Sequence, residues 1–326
     1  MWDYKIYYSK KMVQKILLKK DLPKFLEVLI KKYEVIAPVK KEVTKFEVIK
    51  SPEEVWLEGI TQIPVKNFFI PEGEELFSFE NNKIIEKNKN KEGYRIVFGL
   101  RLCDINALKI LDKVMFDPAY IKRRKKTIII GIYCDKPDKY CFCNSMDLKD
   151  EGWDLFFYPT LRKYYISIGS KKGYNLVKDL PNARKVVVKK IKNKKVLKDK
   201  DIEGDYRNEI WDSDAEKCLS CGACTVYCPT CNCFDILDEQ EIDLKKGKRI
   251  RKAASCQLKS FSEVAGGKVF RESRKSRFKH FVYHKLVYYK KRYGRYMCVG
   301  CGRCLRVCPT KIDWVETINL LKSFKK

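Results

Sequence analysis

The 326-residue sequence predicts an α+β protein of two domains, an α/β domain over residues 1–205 and a mainly helical domain over residues 206–326. A chain of this length is expected to form about two domains of roughly 150 residues each. In the first part, two short apolar segments flank a stretch with helical spacing, which is typical of a strand–helix–strand unit. In the second part, cysteines lie in closely spaced groups. Without a secretion signal, such groups indicate metal ligands and not disulfides.

Residues 1–50 predict a small α/β lead-in. The segment Lys10–Lys20 has helical spacing of its apolar residues. A second helix is expected to begin after Asp21, with Pro23 in its first turn, and a strand follows over Tyr33–Val39. The side chains that this second helix is expected to bury are Phe25, Leu26, Val28, Leu29 and Ile30.

Residues 51–93 predict turns and short strands, and the apolar stretch Pro64–Phe79 is expected to be an interface or a structural loop. Further along, Trp153–Tyr158 and Tyr164–Ile168 predict a hairpin. The Lys- and Val-rich segment Asn182–Lys200 predicts a surface element before the domain boundary.

The strand–helix–strand unit consists of the apolar segments Arg95–Cys103 and Thr127–Cys134, with the helical stretch Asp104–Lys122 between them and Asp104 as its cap. The two strands should be parallel. Each ends in a cysteine, and parallel strands bring their carboxyl ends to one edge of the sheet, where open α/β sheets bind ligands. The next loop adds Cys141 and Cys143, so four thiols are expected to meet at this edge.

Two segments share one cysteine pattern, C-x2-C-x2-C-x3-C-P. They read CLSCGACTVYCP over Cys218–Pro229 and CVGCGRCLRVCP over Cys298–Pro309. This spacing is typical of thiolates that hold a cubane iron–sulfur cluster, whereas zinc favours two separated C-x2-C pairs. The second domain is therefore predicted to be ferredoxin-like and to bind two [4Fe-4S] clusters.

In two-cluster ferredoxins, the cysteine before proline ligates the other cluster. The predicted ligand sets are Cys218, Cys221, Cys224 and Cys308 for one cluster, and Cys298, Cys301, Cys304 and Cys228 for the other. Gly222 and Gly302 leave room for backbone N–H groups to approach the sulfurs.

Seven further cysteines could bind metal. Cys103, Cys134, Cys141 and Cys143 are interpreted as ligands of a third cluster, against the alternative of buried cysteines that act as small apolar side chains. Cys231, Cys233 and Cys256 could supply more ligands, Cys231 could replace Cys228, or all three could be structural.

Several function classes are disfavoured. The net charge of +28 would suit a nucleic-acid partner, but the basic residues are spread over the whole chain, so we expect no such partner. No apolar run is long enough for a membrane span, and the charged amino terminus is no signal peptide, so a cytoplasmic protein is expected. His280 and His284 lack the glutamate of a zinc motif, and no glycine-rich phosphate loop is present.

Five stretches together resemble the beta subunit of cytoplasmic sulfhydrogenases, and about equally the iron–sulfur subunit of anaerobic sulfite reductases. They are FGLRLCDINALKILD, YCDKPDKYCFCNSM, EKCLSCGACTVYCPTCNCFDI, ASCQLKSFSEVAGG and YGRYMCVGCGRCLRVCP. The resemblance implies an electron-transfer protein without a catalytic site of its own. Its implied partners are a hydrogenase or sulfite reductase catalytic subunit, together with a flavin-containing, NAD(P)H-linked subunit. The family's additional cysteines match Cys103, Cys134, Cys141 and Cys143, which also implies a third cluster.

Three hypotheses follow. The first is a hydrogenase beta subunit, and the second is the iron–sulfur subunit of a sulfite reductase. The third, which rests on charge alone, is an iron–sulfur protein that binds nucleic acid.

Overall fold

The computed structural model describes residues 14–81, 83–85, 93–183, 192–198, 201–243 and 245–321, and its contacts separate into two units. The first unit combines the chain up to Val65 with Gly93–Lys195 and Val299–Cys301, and the second contains Lys66–Glu92, Val196–Cys298 and the chain from Gly302 onward. This grouping differs from the contiguous division at residue 205. The segment after Lys66 belongs with the second unit because its strand pairs with a strand near residue 250.

The strands, in chain order, are β1 (Gln14–Leu18), β2 (Glu34–Lys40), β3 (Thr44–Val48), β4 (Glu74–Glu80), β5 (Lys83–Ile85), β6 (Arg95–Leu100), β7 (Thr127–Ile132), β8 (Leu155–Pro159), β9 (Lys163–Ile168), β10 (Asn182–Ala183), β11 (Phe234–Gln240) and β12 (Lys246–Ala253).

The α-helices are α1 (Leu22–Lys32), α2 (Leu102–Leu111), α3 (Pro118–Lys125), α4 (Lys171–Val177), α5 (Ile210–Lys217), α6 (Ala223–Val226), α7 (Arg274–Tyr283), α8 (Tyr289–Tyr293), α9 (Arg303–Val307) and α10 (Trp314–Leu320). A π-helical turn, His284–Tyr288, joins α7 to α8. The mixture of helices and strands confirms the α+β class.

An eight-stranded mixed sheet of order β10-β1-β9-β8-β7-β6-β2-β3 forms the first unit. Strands β2, β6, β7 and β8 pair in parallel, and the other neighbours are antiparallel. Phe157 lies at the centre of the core, with its ring 5.8 Å from that of Phe98 and 5.7 Å from that of Tyr164. The long apolar runs of β6 and β7 fit strands that are buried on both faces.

Two predictions in the lead-in need correction. The helix predicted over Lys10–Lys20 is wrong, because residues 14–18 form strand β1, and residues 10–13 lie outside the described residues. Pairing with β9 overrides the local helical spacing, and the buried Lys15 ammonium donates to two backbone carbonyls at 2.8 Å. The helix after Asp21 and the strand that follows it are confirmed as α1 and β2, but Val28 is 47% exposed on the outer face of α1.

The predicted strand–helix–strand unit is confirmed in its parallel pairing, and the hairpin of β8 and β9 is confirmed as well. The strands β6 and β7 end earlier than predicted, at Leu100 and Ile132. The connection contains two helices, because Asp117 caps a new helix, α3, through the backbone N–H of Tyr120. Asp104 lies inside α2 and does not cap it.

The second unit contains a four-stranded antiparallel sheet, β11-β12-β4-β5, and the helices α5 to α10. Trp211 of α5 packs against the rings of Phe278 and Tyr283 of α7, at centroid distances of 6.4 and 5.8 Å. Strand β4 occupies the end of the Pro64–Phe79 stretch, so this stretch has a structural role in the sheet. Of the predicted surface element at 182–200, residues 184–191 and 199–200 lie outside the described residues.

Candidate metal centres

Five cysteines from the two repeated segments line one cavity of the second unit. They are the four members of the first predicted set, Cys218, Cys221, Cys224 and Cys308, together with Cys304. The rest of the lining is largely apolar and includes Phe278, Phe281, Ile312 and Trp314. A cavity with thiol ligands and apolar walls fits a [4Fe-4S] cluster, which thiolates hold away from solvent. This structure therefore brings together the first of the two predicted ligand sets.

Each repeated segment makes the same local turn. Gly222 precedes α6 with φ 77°, and Gly302 precedes α9 with φ 72°. Both lie in the left-handed region, which glycine adopts without strain. A Cβ atom on Gly222 would also lie 3.0 Å from Ser255 Oγ. The shared C-G-x-C sequence thus produces one loop geometry twice.

N–H groups donate to several cysteine sulfurs in the second unit. The contacts are Ser220 N to Cys218 Sγ at 3.4 Å, Ile312 N to Cys308 Sγ at 3.3 Å, and Trp314 Nε1 to Cys304 Sγ at 3.5 Å. Hydrogen bonds to ligand sulfurs are among the features that set a cluster's reduction potential.

Cys228 is buried beside a second thiol and a lysine. The Nζ atom of Lys285 lies 3.2 Å from Cys228 Sγ and 3.3 Å from Cys231 Sγ. A hydrogen bond from the Cys231 thiol lowers the pKa of Cys228, and Lys285 and Lys66 lower it further, against the effect of burial. Cys228 is thus the member of this pair that is poised to be a thiolate, the form that binds metal.

Lys285 is itself buried, with 2% of its surface exposed. Burial lowers its pKa, but the neighbouring sulfurs, first of all that of Cys228, raise it more, so the ammonium stays protonated. Lys66, which is half-buried, donates to the backbone carbonyl of Cys231 at 3.0 Å. Neither lysine was predicted from the sequence. The one local signal is a lysine inside FVYHKLVYY, a run made mostly of aromatic and aliphatic residues.

Cys233 and Cys256 form a separate pair in the second unit. A hydrogen bond from the Cys256 thiol lowers the pKa of Cys233 to about 6, and a backbone N–H of Cys256 contributes as well. Cys233 directly precedes β11, and Cys256 follows the end of β12, the strand that pairs with it. The backbone N–H of Ala254 donates to the carbonyl of Cys233 at 3.0 Å.

In the first unit, three of the four cysteines predicted for a third cluster influence one another. Burial raises the pKa of Cys141 to about 12 and that of Cys143 to about 11, and the neighbouring sulfurs of Cys134 and Cys301 add to both shifts. Gly300 packs so closely on this loop that a Cβ atom would lie 2.7 Å from Cys143 Cα. Cys301, the next residue, therefore lies close to these thiols. This proximity was not predicted from the sequence.

Cys103 was predicted to lie at a strand end. It lies instead in the first turn of α2, two residues beyond Arg101. It is buried, and it still follows β6 closely, while Cys134 follows β7. Because β6 and β7 are parallel neighbours, the two cysteines come from the same edge of the sheet. Arg101 donates to the backbone carbonyl of Tyr133 at 2.8 Å and so ties these two strand ends together.

Among the described residues, no three cysteine, histidine or carboxylate side chains are grouped tightly enough to hold one ion. The rings of His280 and His284 pack on each other with centroids 5.5 Å apart, and burial lowers the pKa of both to about 4. Thiols spread around a cavity suit a cluster, whose irons lie between the sulfurs.

Comparison with known proteins agrees with this chemistry. The model of a 4Fe-4S dicluster domain matches residues 217–312, which include both repeated segments. No solved structure matches the chain. Within the part of the chain that the structure describes, no helix combines the length and apolar character needed to cross a membrane.

One curated relative is the protein named Sulfhydrogenase 2 subunit beta, from Pyrococcus furiosus. It is 35% identical over 323 residues, which cover 91% of this chain and 95% of the relative. Because this relative is named as a sulfhydrogenase subunit, the comparison does not favour the alternative of a sulfite reductase subunit. Together with the dicluster domain, it indicates two [4Fe-4S] clusters and an electron-transfer role. The chain therefore belongs to the family of sulfhydrogenase beta subunits, the iron–sulfur electron-transfer subunits of such enzymes.

Proposed function

We propose that this chain relays electrons between a flavin-containing, NAD(P)H-linked partner subunit and a hydrogenase catalytic module. The observation that carries the proposal is the apolar cavity in which thiols of both repeated segments meet. The name of the relative, a sulfhydrogenase subunit, supports a hydrogenase as one partner. The flavin-containing, NAD(P)H-linked partner is implied by the family resemblance. This sequence has no glycine-rich phosphate loop of its own with which to bind such a cofactor.

We assign the ligands in two crossed sets. Cys218, Cys221, Cys224 and Cys308 would hold one cluster, and Cys298, Cys301, Cys304 and Cys228 the other. The shared cavity supports the first set. The second set rests on the sequence spacing and on the buried, deprotonation-prone thiol of Cys228.

When bound, the clusters supply one-electron transfer without making or breaking a substrate bond. The role of the chain is to control that chemistry. Its N–H groups at Cys218 and Cys308 stabilise negative charge on sulfur. Its apolar side chains, such as Phe278 and Trp314, keep water away from the thiolates.

A third cluster is proposed at the sheet edge of the first unit, with Cys103, Cys134, Cys141 and Cys143 as ligands. Supporting this are the parallel pairing of β6 and β7 and the mutual influence of the last three thiols. The C-x-C spacing of Cys141 and Cys143 requires the loop to turn sharply, and a short 3-10 helix, Cys143–Ser145, begins at the second of them.

Replacing Cys143 by serine is expected to lower the iron content of the purified protein from about twelve to about eight atoms per chain, because one corner of the third cluster loses its thiolate. The measurement is iron quantitation on anaerobically purified protein. Asn144→Ala, which alters the adjacent residue and keeps every thiol, is the matched control. An unchanged iron content in Cys143→Ser would contradict the third site and leave the two repeated segments unaffected.

The proposed partners can be tested on the assembled complex. Affinity purification of the full chain from its native host, without oxygen, should yield a complex that contains nickel and flavin. Adding NAD(P)H to that complex should reduce the EPR-active clusters, and adding it to the isolated chain should not. Recovery of sirohaem in place of nickel, or reduction of the isolated chain by NAD(P)H, would overturn this proposal.

A further inference from the structure

Lys285 holds a positive charge in the interior of the second unit, beside a proposed cluster ligand. Its side chain leaves the π-helical turn between α7 and α8 and is 2% exposed. A π-helical turn is uncommon and frequently occurs at functional sites. The carbonyl of Lys285 accepts a hydrogen bond from Met297 N at 2.9 Å, one residue before Cys298, so this turn is tied to the second cysteine segment.

The ammonium group contacts two sulfurs and a hydroxyl group. Its Nζ atom lies 3.2 Å from Cys228 Sγ, 3.3 Å from Cys231 Sγ and 3.4 Å from Thr230 Oγ1. The ring of Phe281 lies 5.0 Å from Nζ and adds a cation–π contact. Among the described residues, no aspartate or glutamate forms an ion pair with Lys285. Burying an ammonium without an anion is strongly unfavourable, so thiolate is the anion that this lysine requires.

A second lysine reaches the same segment from another element, where burial lowers the pKa of its ammonium. Lys66, in the 3-10 helix Val65–Phe68, donates to Thr225 O at 3.2 Å and to Cys231 O at 3.0 Å. Both lysines act on the segment between Thr225 and Cys231, which contains Cys228. The surface lysines of this basic chain exert a weaker electrostatic effect on the buried sulfurs, because water and salt screen their charges.

We propose that Lys285 is a positioning residue that sets the reduction potential of the cluster bound through Cys228, by fixing a buried positive charge at the ligand sulfur. Gaining an electron makes such a cluster more negative by one charge. A cation at hydrogen-bond distance from a ligand sulfur, in a dry interior, therefore stabilises the reduced form more than the oxidised form. This role rests on the proposed function, in which Cys228 is a cluster ligand.

The test is an EPR-monitored redox titration of the iron-loaded full chain. In Lys285→Gln, the equilibrium constant for reducing one cluster should fall at least about tenfold, which is about 59 mV for a one-electron couple. The other clusters should keep their potentials. Lys290→Gln removes the same charge from an exposed position on α8. It should change the equilibrium constant for reducing any of the clusters by no more than about twofold.

Two further variants make the result decisive. Lys285→Arg keeps the charge and should keep the potential close to that of the unaltered chain. If Lys285→Gln does not retain iron, Lys66→Gln should lower the potential of the same cluster by a smaller amount. An unchanged cluster potential in iron-loaded Lys285→Gln would overturn the inference. If that variant does not retain iron, an unchanged potential in Lys66→Gln would overturn it. A lack of iron in the unaltered chain would instead refute the proposed function.

Discussion

Replacement of Cys221 by alanine is expected to remove one [4Fe-4S] cluster and about four irons from each chain. Cys221 is the exposed member of the five thiols that line the apolar cavity of the second unit. Alanine offers no ligand atom, so one corner of that cluster would have no protein ligand. The expected readouts are a lower iron content and the loss of one of the EPR signals of the reduced protein. The signal of the other cluster should remain.

The matched control for this loss is Cys256→Ala. Cys256 is buried near the same cysteine-rich segment but belongs to neither proposed ligand set. Its replacement should leave both signals and the iron content unchanged. If Cys256→Ala loses iron as Cys221→Ala does, Cys256 takes part in cluster binding and the crossed sets are incomplete. Full iron content in Cys221→Ala would contradict the first ligand set.

The pair of variants Cys228→Ala and Cys231→Ala is expected to differ sharply. Cys228→Ala should abolish the signal of the cluster assigned to Cys298, Cys301 and Cys304, because the cysteine before Pro229 is the crossed ligand of that set. Cys231→Ala should retain it. Both thiols are buried beside Lys285, so the two replacements disturb the same environment and differ in the proposed ligand alone.

The opposite result would be equally informative. If Cys231→Ala loses the signal and Cys228→Ala keeps it, the fourth ligand is the cysteine after the proline, and the crossed assignment is wrong. EPR spectra of both reduced variants, recorded at matched iron-loaded protein concentrations, decide between the two. The thiol pKa supports the first outcome, since the hydrogen bond from Cys231 favours deprotonation of Cys228.

The sequence predicted the parts of the molecule that depend on local spacing. The loops around Gly222 and Gly302 follow from a few adjacent residues, and so do the helix α1 and the hairpin of β8 and β9. The parallel pairing of β6 and β7, which places Cys103 and Cys134 after neighbouring strands, was also predictable from the two apolar segments and the helical stretch between them.

Other features depend on contacts between distant parts of the chain. Strand β1 carries helical spacing but pairs with β9 about 150 residues later. Strand β4 pairs with β12, which draws residues after Lys66 into the second unit. Lys285 and Cys228 are 57 residues apart. No local pattern links such a lysine to a thiol, so its charge could be recognised only from the folded structure.

The most direct test of the iron–sulfur relay is metal analysis of the unaltered full chain after anaerobic purification, combined with EPR of the reduced protein. We expect about twelve irons per chain, about eight from the two repeated segments and about four from the third site, and EPR signals of reduced [4Fe-4S] clusters. Zinc in place of iron, with no such signals, would contradict the relay.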